Sequence, residues 1–148
     1  SKLQEFTSFY RRLLQGQYDE ALDQSGWVTG QPDHPFASHA SLQLARRLPS
    51  SYAPQTYSIL QQTTSLFESS PIHERLLWEQ AKLARVLMDR SSNSDNSNGD
   101  SPILSMESDE WNRIIDELYE TLLIRYPGGY YAELARSYLS RQAEPASS

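Results

Sequence analysis

The side chains able to hold a metal or move a proton at neutral pH are few. The histidines are His34, His39 and His73. Helical metal sites place ligands three or four residues apart, as in His-Glu-x-x-His or Glu-x-x-His. Here His73-Glu74 runs on into Arg75-Leu76-Leu77, and no Glu-x-x-His occurs. Asp33-His34 with His39 is the grouping left for a weak surface site, and a helical enzyme fragment built on it and nearby carboxylates is the enzymatic alternative. No Gly-x-Ser-x-Gly, no cysteine and no phosphate-cradling glycine loop is present. Asp109, Glu110, Asp116, Glu117 and Glu120 could pair as acid and base, but one solvated helix face accounts for them more simply. The expectation is a non-enzyme with no catalytic residue, no metal and no cofactor.

Composition narrows the partners. The net charge is −6 and the isoelectric point is near 5.0, whereas a nucleic-acid binder concentrates Lys and Arg on one face. Only Arg11-Arg12 and Arg46-Arg47 approach such a patch, so nucleic acid is not expected. No apolar run approaches the ~18 residues of a membrane span, and direct membrane insertion is excluded from the expectation. The absence of cysteine rules out disulfides without choosing between cytoplasm and cell envelope. With 38% hydrophobic residues and a mean hydropathy of −0.64, the chain reads as soluble. Starting at Ser1-Lys2 without methionine, it is expected to be a processed product or a domain cut from a longer protein.

These residues need helices to place them. Leu3, Phe6, Tyr10, Leu13 and Leu14 recur at helical spacing over 2–15, and Gly16 stops the helix. Asp19-Glu20 suit the first turn of a second helix, which ends by Gly26. From Ser25 to Phe36 the breakers Gly26, Gly30, Pro32 and Pro35 predict a loop of about a dozen residues, with Trp27 pinning it to the core or standing exposed. Helices are predicted over Ala37–Leu48, Tyr52–Glu68, Pro71–Arg90, Ser108–Tyr126 and Tyr130–Gln142. Of these, Pro71–Arg90 has two apolar rows and should be central. Ser70 and Ser108 read as capping residues. Ser, Asn, Asp and Gly fill Ser91–Ser101, predicting a flexible insertion over 91–102 that carries a Ser101-Pro102 phosphorylation motif. Residues 143–148 read as a disordered tail. The fold class is all-α, one domain over 1–142 with about seven helices.

Two turns look alike: Arg47-Leu48-Pro49-Ser50-Ser51-Tyr52-Ala53 and Arg125-Tyr126-Pro127-Gly128-Gly129-Tyr130-Tyr131-Ala132. In each, a helix ends at proline and an aromatic with alanine opens the next. Gly16-Gln17-Tyr18-Asp19-Glu20-Ala21-Leu22 places a glycine, an aromatic two residues on and an alanine three further. These segments, with Tyr119, Leu122, Leu123, Pro127, Tyr131-Ala132 and Ala135, resemble the tetratricopeptide repeat family. Phe9 and Tyr10 depart from it, standing where that family has a small residue, and the middle of the chain lacks the motif.

The resemblance implies antiparallel helical hairpins in an array whose groove binds a peptide or helix of a partner protein. It implies a scaffold or adaptor within a larger assembly, with Tyr10, Tyr57 and Tyr130 as partner-binding residues; Trp27, from its place in the Ser25–Phe36 loop, is the fourth candidate. The family's carboxylate clamp is not expected, since Lys2, Arg11 and Arg12 do not carry its pattern. A regulatory domain using the 91–102 insertion is the alternative within binding, and homo-oligomerisation stays open.

Overall fold

The computed structural model describes residues 1–31, 33–93 and 105–143. Lys2–Leu14 form α1, closed at its start by a reciprocal box in which Ser1 Oγ accepts from the Gln4 N–H and Gln4 Oε1 accepts from the Ser1 nitrogen. Gly16 ends it with φ +77°, the single positive φ among the described residues. After that turn Tyr18–Asp23 form α2.

The expected loop over Ser25–Phe36 contains a helical turn, α3, over Gly26–Gly30. Its glycines disfavour helix by about 1 kcal/mol each, but the turn buries Val28 completely. It also sets Trp27 edge-on to Phe9, 5.9 Å between ring centres. Tertiary contact overrides propensity there.

Next come α4, Ala37–Arg47, a 3-10 turn over Ser50–Tyr52, and α5, Ala53–Leu66. Leu48 is extended ahead of Pro49 (φ −69°, ψ 135°), which stops α4. Tyr52 donates from its hydroxyl to Asp19, 2.8 Å, tying this turn to α2. Helix α6 spans His73–Asn93, starting after Ser70, whose Oγ accepts from the Ile72 N–H. It continues through 91–93, where the flexible insertion was expected to begin; the rest of that insertion, with Ser101-Pro102, and tail residues 144–148 lie outside the described residues. Then follow α7, Ser108–Arg125, and α8, Tyr130–Ala143. Glu107, not Ser108, occupies the cap position of α7.

The described chain is therefore all-α, with eight α-helices, and no helix is long and apolar enough to cross a membrane. The packing alternates in sequence order. Helix α1 packs on α4, α4 on α6, and α6 on α8. On the other side α3 packs on α5, and α5 meets α7 through Tyr57 and Trp111, rings perpendicular at 5.1 Å. Hairpins α4/α5 and α6/α7 join the two rows, and α2 packs on α1. Helix α6 is central, touching α4, α5, α7 and α8, because both its leucine rows find partners: Leu76 with Leu42 and Leu60, and Leu77, Ala81, Ala84 and Leu87 with Trp111, Ile115 and Tyr119.

This layout corrects one reading of the sequence. The turn after Arg47 leads from the α1/α4/α6/α8 row to the α3/α5/α7 row, whereas the turn after Arg125 leads back. The two similar turns are therefore not equivalent positions in the array.

Candidate partner-binding face

The four expected partner-binding residues fall in different environments. Tyr130, first residue of α8, is 71% exposed. Its ring stands edge-on to Tyr131 at 5.3 Å, and Tyr131 lies 5.4 Å from Trp78 of α6. Both Tyr131 and Trp78 are half-buried, and Trp78 in turn packs against the fully buried Tyr119. An aromatic path thus runs from solvent into the core across the α6–α8 edge.

Tyr10 is half-buried on α1, stacked on Phe6 at 5.8 Å. Arg47 of α4 lies over its ring at 5.3 Å and donates to its hydroxyl at 3.1 Å, while the same guanidinium donates to Gln43 Oε1. Trp27 is half-buried and pins the α3 turn, stacked on His34 at 4.1 Å. It also borders an open cleft lined by Gln4, Glu5, Ser8 and Gln24.

Tyr57 does not belong to any accessible face. At 2% exposure it fills the α5/α6/α7 core, and Gln80 Nε2 reaches its hydroxyl at 3.5 Å. Burial raises its pKa, partly offset by that hydrogen bond. The expectation that it lines a groove is replaced by a core role.

The histidines do not gather into a site. His34 is buried, with Nδ1 accepting from the Phe36 N–H at 3.2 Å and Nε2 therefore donating to Glu5 Oε2 at 3.0 Å. Both nitrogens are engaged, leaving no lone pair for a metal. His39 is exposed on α4 and Asp33 is exposed in the preceding loop. Among the described residues no three His, Asp or Glu side chains group to hold an ion.

His73 locks three helix ends together. Its Nε2 donates to the Thr64 carbonyl at 3.0 Å, so Nδ1 is the acceptor for the Tyr126 hydroxyl at 2.7 Å. Arg125 bonds the Glu68 carbonyl at 3.1 Å and lies 3.5 Å from the same Nδ1. Burial is the main cause that lowers the His73 pKa, and Arg125 adds to it against the Thr64 bond and Glu68. Because the folded protein resists protonation more than the unfolded chain, whose histidines titrate near about 6.5, the unfolded state takes up the proton first as pH falls. The His73 contribution to stability is thus complete above that value and is lost as pH drops through the window below it. Denaturant melts from pH 7.5 down to 5 should show this loss (pH values spanning the free-histidine titration at about 6.5), and His73→Gln should flatten the profile. An equal slope in the variant would assign the effect to other groups.

Against known protein families, curated proteins and solved structures, this chain finds no match. The site therefore stands on its own geometry. Of its members, Tyr131 reads in the sequence as part of a repeat-like turn and an inward helix face, and Trp78 carries no signal there. Arg47 reads there as part of an arginine pair, and its seat on Tyr10, 37 residues away, has no local signal.

Proposed function

We propose that this chain is a protein–protein interaction adaptor, a divergent tetratricopeptide-like array that binds a peptide or helix of a partner inside a larger assembly. The observation that carries this reading is the aromatic path Tyr130, Tyr131 and Trp78 at the edge of a continuous α1/α4/α6/α8 row. Exposed aromatics backed by rigid core are the side chains that dominate protein interfaces, because they bury large area at little cost in rotamer entropy. The alternation of two helix rows supports the repeat-array part of the reading. The Gly16 turn joins α1 to α2, and the Pro127-Gly128-Gly129 turn before α8 sits where such hairpins change row.

The test is affinity capture from the native source, with the variant Tyr10→Ala/Tyr130→Ala as control and circular dichroism to verify its fold. A roughly stoichiometric protein partner that the variant loses is expected. Capture of nothing, or equal capture by the folded variant, would sink the proposal.

A further inference from the structure

The chain is acidic as a whole, yet its charge is sorted by row. Helices α1, α4, α6 and α8 together carry eleven Lys and Arg against five Asp and Glu, a net +6. The α3/α5/α7 row carries two arginines against five Asp and Glu, a net −3, and α2, packed on α1, adds three acids. Linear order hides this, because the two sets alternate along the chain.

Several carboxylates of the cationic row are already engaged within the fold. Glu5 is bonded by His34, Glu79 by Lys82 at 3.1 Å, and Glu133 by Arg136 at 2.6 Å. Arg46, Arg47 and Arg85 are exposed and make no ion pair among the described residues. Two of them lie over aromatic rings of neighbouring helices in the row. Arg47 crosses from α4 to Tyr10 of α1, and Arg85 crosses from α6 to Tyr138 of α8 at 4.9 Å. A guanidinium fixed over a ring keeps N–H edges for a carboxylate and loses less side-chain entropy on binding one.

Resting on the adaptor reading above, we infer that the α1/α4/α6/α8 row docks an acidic segment of the partner protein, its Asp and Glu meeting Arg47 and Arg85 and an apolar residue meeting Tyr130. Charge complementarity selects this occupant over a basic one. It also disfavours nucleic acid, since a long polyanion would extend beyond the row to the acidic helices behind it, whereas a short segment is screened from them within a Debye length of about 8 Å.

The experiment follows amide chemical shifts of the isotope-labelled full chain on addition of a short Glu/Leu/Tyr peptide, its Lys/Leu/Tyr counterpart, and a DNA duplex. The acidic peptide should shift the amides around Arg47 and Arg85, with affinity falling as salt is added. Arg47→Glu/Arg85→Glu should weaken it about tenfold, as expected for reversing two charges at an interface, while Arg113→Glu on α7 leaves it unchanged. Tighter binding of the lysine peptide or of the duplex, shifts confined to α2, α5 and α7, or equal loss in Arg113→Glu would each overturn the inference. A captured partner that docks through a basic segment would overturn it too while leaving the adaptor reading intact. A blank capture beside a positive peptide map would sink the adaptor reading alone.

Discussion

Replacing Tyr57 with alanine is expected to destabilise the fold by about 3–5 kcal/mol, the range for truncating a large buried aromatic. The ring is 2% exposed, lies edge-on to the fully buried Trp111, and packs in the cluster that joins α5, α6, α7 and α8. Alanine would remove both the apolar contact area and the perpendicular ring pair, the latter worth about 0.5–1.5 kcal/mol by itself. Tyr57→Phe keeps the ring and deletes only the hydroxyl that Gln80 reaches at 3.5 Å. Since that bond is long, phenylalanine should cost about 0.5 kcal/mol or less, the lower end for a hydrogen bond. Urea melts of the two variants separate a core role from a groove role. A groove residue would give a near-neutral alanine variant with lost partner binding, and that outcome would refute the placement of Tyr57 in the core.

The case of Tyr57 shows where sequence reading stops. Its stripe with Leu60, Thr64 and Phe67 is legible because the residues recur with the helical period, and the structure buries Tyr57, Leu60 and Thr64 and leaves Phe67 half-buried. Periodicity marks which face of a helix is covered, but an accessible groove and a closed core impose the same spacing. Tyr130 differs because it opens its helix, where a side chain projects past the packed region. The helices themselves were legible for the same periodic reason. Helix α3 was not, since Gly26 and Gly30 argue against it and only tertiary contacts, the burial of Val28 and the Trp27 ring on Phe9, support it. Partners distant in sequence leave no local trace: His34 meets Glu5 at a separation of 29 residues, and His73 meets Tyr126 at 53. Charge sorting is invisible for a further reason. Alternating helices average to a mildly acidic chain until the rows are known.

The second large effect is expected at Gly129, and for a reason other than glycine's backbone freedom. Its φ is not positive, so alanine would meet no backbone strain there. What alanine would meet is the Glu74 carboxyl group, whose Cδ lies 3.0 Å from the position of the new Cβ, with Oε2 closer still and the Tyr126 carbonyl at 3.3 Å. Glu74 Oε2 is buried without a hydrogen-bond partner among the described residues. Gly129→Ala should therefore push the flexible Glu74 carboxylate aside and press on the Tyr126 carbonyl, and should cost about 1 kcal/mol, the low end for overpacking. Gly128→Ala is the internal control, because nothing lies within 4 Å of a Cβ at that position, and it should be close to neutral. Glu74→Ala by itself removes an unpartnered buried oxygen and should be neutral or stabilising. Combined with Gly129→Ala it should cancel most of the loss, a coupling that a double-mutant cycle reads directly. If the double variant is as unstable as Gly129→Ala alone, the contact with Glu74 is not what requires glycine. The row change before α8 would then depend on the turn backbone, and the proposed face would owe its last helix to Pro127 rather than to the packing of Glu74.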